Sequence, residues 1–306
     1  MPILPFLKLI RSSNLLMIFF TQYLVKYFLF EPFEIDITLN WFGFLLLVTS
    51  MMALAAAGNI INDIHDVKTD SLNKPHRQII GNQISQAAAF NWFLGLNILG
   101  VGIGFYLSNL VGRPSFVALF ILPSAFLYLY ATQLKRTVLV GNLVVSIMVA
   151  MIIIMMGIFD LLPAITPENQ VTQKVIFLIL VDYAIFAFLI NLLREIVKDQ
   201  EDVNGDYNAG MQTLPVVLGR ERTNKIVFVL TLLPLAAVVY YIYSYLYENL
   251  WAVLYVLLLI LGPLLYFWVK IYAAKTKAEY RHLSLLLKIV LATGLLSIGL
   301  YRFLLL

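Results

Sequence analysis

Nine nearly unbroken apolar runs, at about 15–31, 41–61, 86–108, 115–132, 138–158, 174–193, 225–247, 251–272 and 285–306, alternate along the chain with short polar connections. Each run has the length, about 17 to 25 residues, that carries an α-helix rising 1.5 Å per residue across a hydrocarbon layer roughly 30 Å thick. Barrel strands would instead alternate apolar and polar positions, so the pattern predicts an all-α integral membrane protein, a bundle of nine transmembrane helices. No Pro/Gly/Ser-rich linker interrupts the series, and residues 1–306 are expected to form a single domain. Pro123, Pro234 and Pro263 fall inside runs and predict kinks.

Composition agrees: 61% of the 306 residues are hydrophobic, 12% are charged, and mean hydropathy is +0.89. A soluble domain cannot cover its surface with so few polar groups. The absence of cysteine excludes disulfides, thiolate metal ligands and thiol nucleophiles. The opening segment "MPILPFLKLIRSSN" lacks a small-residue cleavage site, so the first span is expected to act as its own targeting signal. With the N-terminus placed in the cytoplasm, only Lys26, Arg113, Lys174 and Arg302 of the 21 Lys and Arg residues fall on or near the far side. That distribution satisfies the positive-inside rule and predicts a cell (plasma or inner) membrane protein with cytoplasmic N-terminus.

Polar residues crowd into two segments that this topology puts on the cytoplasmic face. After the second run comes "NIINDIHDVKTDSLNKPHR" (59–77), with Asp63, Asp66 and Asp70; after the sixth comes a segment with Asp199, Asp202 and Asp206. Both triplets read DxxDxxxD, and the offset between them is 136 residues throughout. At about 100° per residue, Asn59, Asn62, Asp63, Asp66 and Asp70 share an arc of roughly 100° on a helix. Glu195, Lys198, Asp199, Asp202 and Asp206 do the same. Such carboxylate faces suit hard divalent cations, which take oxygen ligands and leave positions for water and phosphate; magnesium is the natural candidate. Lys74 and Arg77 follow the first triplet, Arg194 and Lys198 precede the second, and Lys135 and Arg136 occupy a short connection on the same face. Metal ions together with Lys and Arg make a clamp for a diphosphate whose charge grows as a bond to it breaks. His65 lies about 60° outside the arc and is read as a bystander.

These residues resemble the UbiA superfamily of intramembrane prenyltransferases over nearly the whole chain. "NDIHDVKTD" (62–70) is similar to the family's NDxxDxxxD, "DVNGD" (202–206) to its DxxxD, and "YATQLKRTVLVGN" (130–142) to its basic loop. Arg194 to Lys198 reads RxxxK where many members have YxxxK. "REIVKDQEDVNGDYNAGMQTLPVVLG" (194–219) is most similar to the second motif of the digeranylgeranylglyceryl phosphate synthases. One departure stands out: "NKPHRQIIGN" (73–82) replaces the family's NRPxRPIPSG, with Gln78 and Ile80 in place of prolines or small residues.

The resemblance implies Mg²⁺-dependent transfer of a prenyl group, geranylgeranyl in the subfamily, from its diphosphate to a lipid acceptor such as the free hydroxyl of geranylgeranylglyceryl phosphate. It implies two Mg²⁺ ions carried by Asn62, Asp66, Asp70, Asp202 and Asp206, with Asp63 and Asp199 as indirect or alternative ligands. Lys74, Arg77, Lys135, Arg136, Arg194 and Lys198 would grip the diphosphate, and Asn59, Tyr130 and Glu195 would line the substrate. A central cavity opening to the cytoplasmic face would hold the prenyl tail among membrane lipids and keep an allylic cation from water; no nucleic-acid partner is expected. Two alternatives are an aromatic acceptor, as in quinone or pigment synthesis, and a transporter. Transporters keep polar groups near the midplane on broken helices, whereas these spans are almost uncharged.

Overall fold

The computed structural model describes residues 3–73 and 78–304, without the side chains of 68–73 and 304. After a short helix α1 (Ile3–Leu9), nine helices among the described residues are long and apolar enough to cross a membrane. They are α2 (Ser12–Phe30), α3 (Trp41–Asn73), α4 (Gln86–Leu110), α5 (Pro114–Thr132), α6 (Val140–Ala164), α7 (Gln170–Asn208), α9 (Arg220–Leu246), α10 (Leu250–Ala273) and α11 (Lys277–Phe303). A five-residue helix α8 (Leu214–Leu218) lies between α7 and α9. Among the described residues, all nine predicted runs fall on helices. The last begins at Lys277 rather than 285, because Thr276 and Glu279 close a capping box over its first turn.

Two helices run well past their apolar segments. α3 continues to Asn73 and α7, 39 residues long, to Asn208, so both acidic triplets lie on helix rather than in loop. Pro123 and Pro234 sit inside α5 and α9. Pro263 follows a widened turn at Leu257–Leu261, where the backbone has already given up its regular i to i−4 bonding.

The chain divides into two compact units: residues 1–22, 36–135 and 155–173, and residues 23–35, 136–154 and 174–306. In the first, α3 packs along α4 and α5 through small residues, as helices in lipid do when van der Waals contact has to replace the hydrophobic effect. A Cβ on Gly58 of α3 would come within 2.9 Å of Leu127 in α5, one on Gly100 of α4 within 2.8 Å of Leu54 in α3, and Ser50 Oγ donates to the Gly100 carbonyl at 2.7 Å. In the second, α9, α10 and α11 close on a core that includes Val227, Leu264, Phe267, Ile271, Leu283 and Leu287. Polar bonds tie the acidic end of α7 to this core. Gln200 Nε2 donates to Asn224 Oδ1 at 2.8 Å and to the Arg220 carbonyl at 3.0 Å, and Asn224 Nδ2 donates to the Ala274 carbonyl at 2.8 Å. The second carboxylate face is therefore carried on a helix end held by packed neighbours.

Candidate active site

In the first unit the acidic end of α3 is a network of paired charges. Lys135, its side chain only 7% exposed, sets Nζ 2.5 Å from Asp66 Oδ1 and 3.2 Å from Asn62 Oδ1. Asn62 Nδ2 in turn donates to Asp66 Oδ2 at 2.8 Å. The i, i+4 spacing of Asn62 and Asp66 makes this possible, because residues four apart stand one above the other on a helix. Lys135 comes from the short turn after α5, at Leu134–Arg136. Charge-assisted bonds of this length are the strong class of hydrogen bond, and they offset the cost of holding an ammonium away from water.

Asp63, one step round the helix, pairs with Arg11 Nη2 at 3.0 Å. Asn59 donates its amide to the Ile10 carbonyl at 3.0 Å, so this predicted substrate-lining residue anchors the chain before α2. Tyr130 lies near the end of α5 and is partly buried; His65 is exposed. Asp70 falls in the helical segment whose side chains are outside the described ones, and Lys74 and Arg77 lie outside the described residues. The departing "QII" tail forms a tight turn: Gln78 Nε2 donates to the Ile80 carbonyl at 3.1 Å, and Gly81 takes φ +92°. Ile80, 2% exposed, drops into the core beside Ile60 and Ile61. An apolar anchor thus stands where the family pattern has a rigid or small residue.

In the second unit the acidic end of α7 is organised by side chains from neighbouring elements. Asn142 Nδ2, at the start of α6, donates to Asp199 Oδ2 at 2.8 Å. Thr213 Oγ1 donates to Asp206 Oδ2 at 3.3 Å. That contact depends on how α7 ends: Gly210 takes φ +67°, Met211 N–H bonds back to the Asp206 carbonyl and Gly210 N–H to the Tyr207 carbonyl. This paired closure turns the chain sharply and returns Thr213 to the carboxylate. Gln212 N–H then bonds the carbonyl of Arg136, whose own side chain is exposed.

Glu195 is 8% exposed and neutralised twice. Lys198 Nζ reaches both its oxygens, at 2.9 and 2.8 Å, and Arg194 Nη1 reaches Oε1 at 3.1 Å. The buried Arg194 Nε–H has no hydrogen-bond partner among the described residues, so the guanidinium keeps a donor for an anion. Lys277 and Arg281 on the first turns of α11 face the same helix end. Lys277 Nζ stands 3.8 Å from Asp202 Oδ1, and Arg281 Nε is 3.1 Å from Glu201 Oε1.

Among the described residues, no three His, Cys, Asp or Glu side chains converge on one point as a ready-made metal cage. The donor set nonetheless fits Mg²⁺, which binds through one or two carboxylates and completes its shell with water and phosphate oxygens. Asp66 with Asn62, and Asp202 with Asp206, each supply such a pair one helical turn apart. Arg11, Asn142, Thr213, Lys277 and Arg281 were not singled out from the sequence. Asn142 and Thr213 lie within quoted motifs, where a polar residue beside an apolar run was the available signal.

The model of the UbiA prenyltransferase family matches residues 33–298. The chain belongs to that family. It is therefore an integral membrane prenyltransferase. It is 32% identical over 79% of its length to the digeranylgeranylglyceryl phosphate synthase of Korarchaeum cryptofilum, 79% of which is covered. Against the same-named protein of Metallosphaera sedula it is 32% identical over 90% of its length, covering 87% of that protein. Solved structures show the same fold. A digeranylgeranylglyceryl phosphate synthase in membranes superposes with TM-score 0.68 at 22% identity, covering 96% of this chain and 98% of the other. A UbiA homolog from Archaeoglobus fulgidus, bound to DMAPP and Mg²⁺, superposes with TM-score 0.56 at 15% identity, covering 96% and 99%.

Proposed function

We propose that this prenyltransferase moves a geranylgeranyl group from its diphosphate to the free hydroxyl of geranylgeranylglyceryl phosphate. The observation that carries the choice of acceptor is the run "REIVKDQEDVNGD" followed by "TLP" (194–215), together with relatives of that name at 32% identity over most of the chain. The new bond joins the acceptor oxygen to the allylic carbon. The carbon–oxygen bond to diphosphate breaks with its electron pair on the departing group, and the hydroxyl proton passes to the released diphosphate.

In this reading Asn62, Asp66 and Asp70 of one acidic segment and Asp202 and Asp206 of the other hold Mg²⁺, two ions being proposed, with Asp63 and Asp199 beside them. Bound Mg²⁺ supplies the charge that stabilises the leaving diphosphate. Lys135 offers the ammonium now shared by Asp66 and Asn62 to phosphate oxygens, and Arg194 offers its unpaired Nε–H. Lys74, Arg77, Arg136 and Lys198 complete the cationic set. Glu195, held by Arg194 and Lys198, serves to orient those two cations rather than to act as a base. Apolar helix walls exclude water from the allylic cation. The N-terminus and both acidic segments face the cytoplasm, in keeping with the distribution of Lys and Arg.

The test is a mass-resolved assay with purified protein, Mg²⁺ and geranylgeranyl diphosphate, offered geranylgeranylglyceryl phosphate or a hydroxybenzoate or naphthoate. Product from the glyceryl phosphate is expected; turnover of the aromatic acceptor alone would overturn the acceptor assignment.

A further inference from the structure

Asp182 is a carboxylate in the apolar part of α7 that the acidic motif does not use. It lies 17 residues before Asp199, about 26 Å along the helix axis, and its direction is about 150° from the centre of the arc carrying Glu195 to Asp206. It therefore belongs to a different face and a different depth. An ionisable group inside a membrane span is costly to insert, and such residues mark a binding or transport role by default. Among the described residues, none forms a hydrogen bond or ion pair with its carboxylate.

Asp182 lines a cavity of about 180 Å³ within the second unit, bounded by α7, α9, α10 and α11. The space slightly exceeds the roughly 150 Å³ that admits a benzene-sized guest in an apolar cavity. Its walls are aliphatic at Val256 and Ile260, and the hydrogen bonds of four of its hydroxyls, on Tyr183, Tyr241, Ser297 and Tyr301, can be assigned by elimination. Ser297 Oγ donates its only proton to the Gly294 carbonyl at 2.6 Å, so Tyr183, 2.8 Å from Ser297 Oγ, must be the donor of that pair. The Tyr183 oxygen is left as an acceptor. Tyr241 and Tyr301 share one proton between their hydroxyls, 2.5 Å apart, and the second proton of the pair stays available to donate. Of the groups whose hydrogen bonds are fixed, two acceptors, Asp182 and Tyr183, and one donor remain, with Tyr240 and Tyr245 further along the wall.

We infer that this cavity binds a membrane-resident alcohol, its hydroxyl donating to Asp182 and accepting from the Tyr241–Tyr301 pair, its hydrocarbon body running along the aliphatic wall into the bilayer. A hydroxyl answers both demands of the site at once. An ammonium donates but cannot accept, and would leave the tyrosine proton unmatched. An ether or hydrocarbon would leave the carboxylate without a donor in a low-dielectric setting. The inference does not rest on the proposed acceptor, since no residue of the acidic segments contributes to it.

The experiment is photolabelling of the protein in nanodiscs with a diazirine-bearing hexadecanol, competed by unlabelled hexadecanol, its methyl ether or hexadecylamine, and read by peptide mass spectrometry. Saturable labelling of α7, α9 or α11 is expected, competed by the alcohol and about tenfold or more weakly by the ether. Asp182→Leu should lose about tenfold or more in affinity, while Asp182→Asn, whose amide oxygen still accepts, and Tyr183→Phe lose less. If Asp182→Leu fails to fold, the other two variants and the ether comparison decide. Equal competition by ether and alcohol, preference for the amine, or affinity unchanged in all three variants would overturn the assignment. So would the absence of saturable labelling. Prenyl transfer by the Asp182 variants should stay near the parent rate; its loss would show that the cavity belongs to the reaction site instead.

Discussion

Lys135 Nζ lies 2.5 Å from Asp66 Oδ1 and 3.2 Å from Asn62 Oδ1, so the central aspartate of the first motif is already engaged by a buried cation from another helix turn. A carboxylate and ammonium so placed are preorganised for an incoming charged ligand, and the ammonium is the group that has to be shared with it. Lys135→Ala is expected to lower prenyl transfer by about a hundredfold or more, on the scale of removing one preorganised electrostatic stabiliser. Lys135→Arg should keep a measurable part of the rate. Single-turnover rates at saturating Mg²⁺ and prenyl diphosphate check this; an Ala variant with parent kinetics would remove Lys135 from the clamp.

The Arg11–Asp63 pair has the same chemistry in a wetter place, with side chains 42% and 23% exposed. Solvent screening limits such a pair to about 0–1 kcal/mol. Arg11→Ala should therefore leave the thermal midpoint and the turnover near parent values while Lys135→Ala does not, and thermal unfolding in detergent together with the transfer assay compares the two.

Asp206 receives its hydroxyl donor only because α7 ends in a tight reversal at Gly210, φ +67°. Two substitutions separate geometry from chemistry. Gly210→Ala puts a Cβ into a left-handed conformation and should destabilise the fold by about 1 kcal/mol. Thr213→Val keeps the shape, removes the donor, and should shift the Mg²⁺ concentration for half-maximal rate several-fold with little change in melting.

Lys277 stands 3.8 Å from Asp202 and half exposed, close enough to compete with a metal ion for that carboxylate. Lys277→Gln is expected to lower the Mg²⁺ requirement about two- to threefold at low salt and to lose that difference at high salt, where screening weakens the competing charge. Mg²⁺-dependent thermal shifts read this without recourse to turnover. A raised requirement would instead make Lys277 part of the anion-binding set.

The nine spans were legible because hydrocarbon thickness sets a length that a run of apolar residues either meets or does not. The acidic faces were legible because helical phase brings residues i, i+3, i+4 and i+7 together whatever the surroundings. The start of α11 was read eight residues late: Lys277, Glu279 and Arg281 depress the hydropathy there, and the capping signal at Thr276 and Glu279 is local chemistry that a count of apolar residues ignores. The partners of the carboxylates were hidden for another reason. Asn142 reaches Asp199 from 57 positions away and Arg11 reaches Asp63 from 52, distances in sequence over which no local pattern specifies contact. Asn59 lies within the polar arc, yet its amide is spent on a backbone carbonyl that only the fold could bring to it.

The central claim is that both acidic segments serve one metal-dependent prenyl transfer. Its most direct measurement is the rate of transfer from geranylgeranyl diphosphate by Asp66→Ala and by Asp202→Ala, each assayed at parent-like thermal stability over a range of Mg²⁺. The account predicts that each substitution alone lowers the rate about a thousandfold or more, because each removes oxygen ligands that Mg²⁺ needs to hold the departing diphosphate. Parent-like transfer by either variant would contradict it.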